Sequence, residues 1–194
     1  MRLLQKMFKK QINKRAELIG KQMLSHIKDG QSILDFGCGD MVVSEFISSK
    51  RKVKITGIDV INYNCTDLKL VLYEGGKLPF KDNFFDVVFA SFVLHHTNDP
   101  AFYLSELFRV SRGKIILMED TFTNKYEKMA TYLFDWITNH LESLRVKVPF
   151  NFLSVDEWKS IIKKEKISLV SIKRVYPNIV PFIPTRNVMM LMEK

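Results

Sequence analysis

Short apolar segments alternate with amphipathic helical segments along most of the first 120 residues. This alternation is typical of a parallel β-sheet with helices on both faces, because each parallel strand needs a long crossover before the next one. Residues 85–92 are almost continuously apolar, as expected of a strand that is buried on both sides. The sequence therefore predicts an α/β fold with a doubly wound, Rossmann-like sheet.

The boundaries of the expected elements follow from the apolar periodicity and from turn and capping signals. Strands are expected over residues 32–36, 53–60, 68–73, 85–92, 114–119, about 167–176 and 187–193. Helices are expected over residues 3–28, 41–49, 100–110 and 125–144, and one more begins after Ser154. A proline-rich loop and no helix separates the last two strands, which favours an antiparallel hairpin at the end of the sheet.

Length and composition set further bounds. The 194 residues suit a single domain over residues 1–194. Cys38 and Cys65 are too few for a disulfide scaffold or a zinc cluster, so no metal centre is expected. With no signal-peptide pattern and no apolar run of about eighteen residues, we expect a cytoplasmic protein without a membrane-spanning helix.

The net charge of +9 is concentrated at the two ends of the chain. Residues 1–30, a basic amphipathic helical segment, hold eight basic and two acidic side chains, or +6, whereas residues 31–120 hold ten and twelve, or −2. A basic end attracts phosphates or anionic lipid, but a lysine-rich helix face in water is the favoured interpretation, because charge runs alone are weak evidence of a partner.

A glycine turn follows the first expected strand, in the run Asp35-Phe36-Gly37-Cys38-Gly39. Glycines at such a turn let backbone N–H groups approach a ligand, and the following helix adds partial positive charge. The acid two residues before the first glycine would repel a pyrophosphate but suits a ligand that carries an ammonium group. Val42 also replaces the last glycine of the dinucleotide fingerprint, so the pattern points away from NAD.

Acidic residues also follow the next two strands. Asp59 ends the second strand, where a carboxylate can accept both hydroxyls of a ribose. Glu74 and Gly75 follow the third strand, where they suit contact with an adenine edge. Because ligands of open parallel sheets bind at the carboxyl ends of the strands, these positions predict one shared nucleoside site.

From about residue 15 to its end, the sequence resembles the class I S-adenosylmethionine (SAM) dependent methyltransferases. The resemblance is carried by residues 33–39, 58–59, 78–80, 85–88, 94–96 and 106–110. It implies SAM as cofactor and a seven-stranded sheet, mostly parallel, whose last strand is antiparallel. This sequence departs from the family's pattern at two places. Met41 replaces a third glycine, and residues 111–114, which we expect to form a turn, replace Pro-Gly-Gly.

The resemblance also implies roles for individual residues. Asp35 and the turn of Gly37, Cys38 and Gly39 would hold the methionine part of SAM. Asp59 would take the ribose hydroxyls, Glu74 with Gly75 would flank the adenine, and Ser91 would form a wall near the methionyl group. Cys38 only needs to fit in the turn, and no nucleophilic role is expected of it.

No catalytic residue is assigned, because SAM chemistry mostly requires alignment of the acceptor and a general base is optional. His95 and His96 follow the fourth strand, where either would serve as a base or would only shape the pocket. Arg109 is expected to anchor its helix.

A small-molecule or lipid-like methyl acceptor is the expected substrate. The helical insertion over residues 121–152, the first helix and the loop 177–186 are the candidates for selecting it. Aromatic residues there would line the pocket or belong to the core: Tyr126, Tyr132, Phe134, Trp136, Phe150 and Phe152. The basic first helix would contact a membrane or act as a lid.

Two other functions stay open. The basic ends allow an RNA methyltransferase, but nucleic acid is the less favoured partner because the chain has no appended RNA-binding module. It also lacks the Asn/Asp-Pro-Pro-aromatic motif of amino-group methylation. The second alternative is a non-catalytic, SAM-binding partner protein.

Overall fold

The computed structural model describes residues 2–141, 151–176 and 186–194. The helices within these ranges are α1 (Arg2–Met23), α2 (Val42–Lys50), α3 (Pro100–Val110), α4 (Lys125–Leu141) and α5 (Val155–Lys164). The strands are β1 (Ser32–Phe36), β2 (Lys54–Asp59), β3 (Lys69–Leu72), β4 (Phe85–Ser91), β5 (Ser111–Thr121), β6 (Ser168–Val175) and β7 (Arg186–Glu193). Among the described helices, none has the length and apolar character needed to cross a membrane.

All seven strands form one sheet in the order β3-β2-β1-β4-β5-β7-β6. Neighbouring strands from β3 to β5 are parallel, and β7 is antiparallel to both β5 and β6. This confirms the doubly wound sheet, its antiparallel last strand and the terminal hairpin. The chain order reverses between β1 and β4, and open sheets of this kind bind ligands at such a reversal point.

Both faces of the sheet are covered. Successive side chains of a strand point to opposite faces, and the pairs Ile33/Leu34, Val87/Val88 and Ile116/Leu117 are completely buried. One member of each pair packs in a core with α1 and α2, and the other packs in a core with α3 and α5. The near-continuous apolar runs of the central strands follow from this double burial.

Helix α1 contributes its second half to the core. Ala16, Ile19 and Met23 are buried, whereas the side chains of residues 10–15 are exposed. Gly20 lets α1 approach α2, since a Cβ at this position would lie 2.4 Å from the Phe46 ring. The helix expected at the N-terminus is thus confirmed, and its basic stretch extends beyond the packed part.

Two expected boundaries differ from the structure. The turn expected over residues 111–114 is wrong, because β5 already begins at Ser111 and pairs with Phe85, with an irregularity in register before Val87. Gly113 permits this path, since a Cβ there would lie 2.8 Å from the carbonyl oxygen of Asp86. The helix expected over residues 3–28 ends at Met23 and is followed by a short 3-10 helix over Leu24–His26. The end of the helix expected over residues 125–144 and the proline-rich loop 177–185 lie outside the described residues.

Arg109 of α3 secures the segment between β3 and β4. Its guanidinium donates to both carboxylate oxygens of Glu106 and to the carbonyl oxygens of Leu78 and Phe80. It also forms an ion pair with Asp82 at 2.7 Å. Glu106 in turn accepts a hydrogen bond from the N–H of Leu78. Arg109 therefore anchors a loop as well as its helix.

This network predicts an effect of the conservative change Arg109→Lys. A lysine keeps the charge but cannot reproduce the planar fork of donors, so the variant should lose about 1–3 kcal/mol of unfolding free energy in urea titrations. Arg112→Lys is the control, because Arg112 is half exposed and makes only one ion pair, with Asp86, and one hydrogen bond, to the carbonyl oxygen of Phe84, among the described residues. Its loss should stay below about 0.5 kcal/mol. Equal losses for the two variants would refute the anchoring role.

Candidate functional site

The glycine turn after β1 combines a close contact with an open face. Gly37 has φ +64°, and a Cβ there would lie 2.1 Å from Cγ2 of Val93, so no larger residue fits. Gly39 has φ +51°, and a Cβ there would meet nothing within 4 Å. Gly37 is therefore required by packing, whereas Gly39 leaves its side of the turn accessible to a ligand.

Met41 explains how the chain tolerates the missing third glycine. Its backbone has φ 62°, the left-handed conformation that favours glycine, yet its side chain is completely buried at the start of α2. Room for it comes from Gly57 of β2, where a Cβ would lie 2.6 Å from Cε of Met41 and 2.7 Å from Sγ of Cys38. The departure at Met41 thus preserves close packing.

Asp59 fastens the end of β2 to the glycine turn. Its Oδ2 accepts a hydrogen bond from the N–H of Gly39 at 2.9 Å. Its Oδ1 accepts from the N–H groups of Val60 at 2.7 Å and Ile61 at 3.3 Å. A carboxylate has about four acceptor positions, so Asp59 is fixed in place and still has capacity for a ligand hydroxyl.

Asp35 is buried beneath the same turn. Its Oδ2 accepts a hydrogen bond from Oγ of Ser44 in α2 at 2.7 Å. Burial raises the pKa of Asp35 from 3.8 to about 7, nearby Asp59 and Asp40 add to the increase, and the Ser44 hydrogen bond opposes it. The carboxyl group is therefore poised to ionise near neutral pH, where a cation beside it would favour the charged form.

Cys38 lies between the two glycines of the turn. Burial raises the pKa of its thiol, and the negative charges of Asp35 and Asp59 raise it further. The group is therefore a protonated thiol at neutral pH, which does not act as a nucleophile. Its sulfur fills space over Gly57.

Glu74 and Gly75 lie at the same edge of the sheet, just after β3. Glu74 is exposed, and Gly75 has φ +91°. The following residue, Gly76, donates its N–H to the hydroxyl of Tyr103 at 3.0 Å. The Tyr103 ring packs against Phe36 with the centroids 5.3 Å apart. This contact ties the loop after β3 to the residue that precedes the glycine turn.

The structure thus brings most of the expected residues together. Asp35, Gly37, Cys38, Gly39 and Asp59 form one cluster at the carboxyl ends of β1 and β2, with Glu74 and Gly75 at its rim. Ser91 ends the neighbouring strand β4, and its Oγ is buried without a hydrogen-bond partner among the described residues. An unsatisfied buried hydroxyl at a ligand edge suits a bound molecule that would supply the partner.

Glu119 is a residue that the sequence analysis missed. It is completely buried near the end of β5, and its Oε1 accepts hydrogen bonds from the N–H groups of Val93 at 3.1 Å and Leu94 at 2.7 Å. Its Oε2 lies 2.5 Å from Nδ1 of His95. Glu119 therefore holds the loop after β4 against the sheet. The one sequence signal was an acid at the end of an otherwise apolar strand.

His95 and His96 occupy different environments. His95 is buried, bound to Glu119 and stacked on Phe152 with ring centroids 4.5 Å apart. The N–H of Asn151 also donates to the carbonyl oxygen of His95. Burial lowers the pKa of His96 to about 3, with a smaller contribution from His95, so His96 is neutral at physiological pH. The geometry makes His95 part of the architecture and His96 a weak base.

Known proteins share part of this sequence. Residues 34–117 match the family described as a methyltransferase domain. The chain is 30% identical over 118 residues to 24-methylenesterol C-methyltransferase 3 of Arabidopsis thaliana, covering 53% of this chain and 33% of that protein. It is 30% identical over 104 residues to demethylmenaquinone methyltransferase of Renibacterium salmoninarum, covering 46% of this chain and 41% of that protein. The aligned region is therefore less than half the length of either relative.

A solved structure extends the comparison to nearly the whole chain. A SAM dependent methyltransferase from Aquifex aeolicus superposes with a TM-score of 0.66 at 20% identity, covering 92% of each chain. At this identity the likeness establishes the fold. The protein has the fold of the class I SAM-dependent methyltransferases. The match to the methyltransferase domain family covers residues 34–117, less than half of the chain, and agrees with the resemblance found in the sequence.

The raised pKa of Asp35 predicts a pH-dependent effect of Asp35→Asn. Below about pH 4 the carboxyl group is protonated in both folded and unfolded chains. The stability difference between the native protein and the variant should therefore change little with pH in this range. As the pH rises toward 7 the unfolded chain alone loses the proton, and the native protein loses stability relative to the variant. The free energy of unfolding of the variant minus that of the native protein should therefore rise with pH. In urea titrations near pH 8 this difference should be larger than at low pH by on the order of 4 kcal/mol.

Asp86→Asn is the matched control with the opposite sign. Hydrogen bonds from the N–H and Oγ of Ser32 hold the pKa of Asp86 below its usual range. Its contribution to stability is thus present above about pH 4 and is lost as the pH falls further. This variant should lose about 1–3 kcal/mol at neutral pH. If the stability difference between Asp35→Asn and the native protein does not change with pH, Asp35 is not buried as described.

Proposed function

We propose that this protein transfers a methyl group from SAM to a small-molecule or lipid-like acceptor. The observation that carries the proposal is the open side of Gly39, located beside the carboxylates of Asp59 and Asp35. A bound SAM supplies an electrophilic methyl group on a positively charged sulfur. Its ammonium and sulfonium charges suit an acidic site, whereas a pyrophosphate would be repelled.

The residues fit the parts of this cofactor. Asp35, Gly37, Cys38 and Gly39 would hold the methionine part, where burial makes the charge of Asp35 depend on a cationic partner. Asp59 has acceptor capacity left for a ribose hydroxyl.

The remaining contacts concern the two ends of the cofactor. Glu74 and Gly75 would flank the adenine at the exposed rim. The buried hydroxyl of Ser91 would face the methionyl group.

The acceptor side is apolar and aromatic among the described residues. The ring of Phe152 stacks on His95, and Tyr132 of α4 meets Phe152 edge-on with ring centroids 5.2 Å apart. Two relatives are named for a sterol and for demethylmenaquinone, which are both lipid-like ring compounds. We therefore favour an acceptor with an apolar ring or chain.

Neither histidine suits the role of a general base. His96, with its pKa lowered to about 3, would be an inefficient proton acceptor at neutral pH. Both oxygens of Glu119 already serve the loop, and one of them binds His95. We infer that the chain contributes mainly alignment of the acceptor behind the methyl group, which can supply about 7–11 kcal/mol in favourable cases.

A paired substitution tests the cofactor site. Gly39→Ala adds a methyl group on the open side of the turn, so calorimetry should show SAM binding weakened at least about tenfold. Gly30→Ala is the matched control, because Gly30 also has positive φ and open surroundings but lies in the turn after α1. It imposes similar backbone strain and should leave SAM affinity unchanged. The proposed site is refuted if both variants bind SAM as the native protein does.

The reaction itself is tested with isotopically labelled SAM. The protein is incubated with fractionated cell extract, and label is counted in the lipid, small-molecule and RNA fractions. We expect label in the lipid or small-molecule fraction, lost in Gly39→Ala and retained in Gly30→Ala. Label in RNA would favour an RNA methyltransferase. Binding of SAM without transfer to any fraction would favour a non-catalytic binding protein.

A further inference from the structure

Helix α4 exposes a row of large apolar side chains. Its outward residues are large and apolar: Tyr126, Met129, Leu133 and Trp136 are 72, 71, 59 and 53% exposed. They recur at intervals of three and four residues and so form one continuous stripe. We name these four residues the α4 stripe.

Polar contacts hold the first two turns of α4 on the side away from the stripe. Thr131 is buried, and its hydroxyl donates to the carbonyl oxygen of Glu127. The carboxylate of Glu127 accepts hydrogen bonds from the N–H and Oγ of Thr123 at 2.8 Å and pairs with Arg186 of β7. The ion pair with Arg186 ties this side of the helix to the sheet. The α4 stripe therefore faces outward as a consequence of specific contacts on the other side.

Single exposed apolar residues are common, but a contiguous stripe marks an interaction surface. Other large apolar residues with described exposure are separated along the chain: Leu72 lies in β3, whereas Val60 and Phe84 lie in loops next to β2 and β4. Among the residues whose side chains are described, four such residues follow helical spacing in α4 alone.

The chemistry around the stripe favours an anionic lipid surface over a second protein. Tyr126 and Trp136 stand near its ends, and such amphipathic rings prefer the boundary between lipid and water. Lys125 lies beside the stripe, with its Nζ 5.3 Å from the centroid of the Tyr126 ring. Lys128 is half-buried, and its Nζ lies over the rings of Phe122 and Tyr132, 4.9 and 5.8 Å from their centroids. Glu127, the acid between them in sequence, is turned inward and neutralised by Arg186.

More positive charge is available at the same edge of the sheet. Lys10, Lys14 and Arg15 of α1 are exposed, and the guanidinium of Arg15 lies 5.3 Å from the ring of Phe92, which directly follows β4. The whole chain carries a net charge of +9. Basic residues near a membrane add electrostatic attraction to anionic headgroups beyond the burial of apolar area.

We propose that the α4 stripe inserts into the surface of an anionic lipid membrane, with Lys125 and the exposed basic residues of α1 contacting the headgroups. The inference goes beyond methyl transfer, because it concerns an exposed helix face that shares no residue with the proposed cofactor site. It makes the protein a peripheral membrane protein that docks through one helix.

Trp136 provides a direct probe of this surface. The other tryptophan, Trp158, is completely buried, so Trp158→Phe leaves one exposed indole in the chain. This protein is titrated with vesicles of equal parts phosphatidylcholine and phosphatidylglycerol. We expect a blue shift of the emission, partition into the vesicles in sedimentation, and weaker partition as salt is raised.

Substitutions of two leucines with similar exposure test whether vesicle binding depends on the α4 stripe or on any exposed apolar residue. Leu133→Gln in the α4 stripe should lower the partition constant about tenfold. Leu72→Gln on the edge strand β3 removes a leucine of similar exposure, 55 against 59%, and should leave it unchanged.

Several outcomes would overturn the proposal. These are an unshifted emission, equal partition into pure phosphatidylcholine, and equal effects of the two leucine variants. A dimer in light scattering that Leu133→Gln dissociates would instead assign the stripe to a second copy of the chain. Calorimetry with SAM is run on the same proteins, and vesicle binding without SAM binding would contradict the proposed function alone.

Discussion

The contact between Gly37 and Val93 is the constraint on which the candidate site depends. It presses the glycine turn after β1 against the loop after β4, at the point where the sheet reverses its chain order. Glu119 holds the other side of this loop by accepting the N–H groups of Val93 and Leu94. The turn and the loop are therefore positioned by a glycine without a side chain and by a buried carboxylate with three partners.

The two acids under the turn serve different physical purposes. Asp59 receives three backbone N–H groups and so stabilises the junction of β2 with the turn. Asp35 has one hydrogen bond from Ser44 and a pKa raised to about 7 by burial, so its ionised form costs folding energy. Such a cost is typical of a functional site, where local stability is given up for a charge that a ligand later compensates.

Strand ends and glycine turns were predictable because they depend on local sequence, and β1 to β4 confirmed them closely. The start of β5 was not predictable from local sequence, because the pairing of Ser111 with Phe85 depends on Gly113 fitting against Asp86. The role of Glu119 also required the fold, because its partners come from a loop about 25 residues earlier. Periodicity alone identified α4 as amphipathic but could not show which face the bonds of Glu127 would turn inward.

A continuous series of contacts connects the glycine turn to α4. Val93 and His95 share Glu119, His95 stacks on Phe152, and Phe152 meets Tyr132 on the inner side of the helix. A lipid surface on the outer side would lie about one helix diameter, roughly 10 Å, from this aromatic cluster. An acceptor with low solubility in water would then travel only that distance to reach the site. The exposed α4 stripe and an apolar acceptor therefore support each other, and each rests on separate contacts.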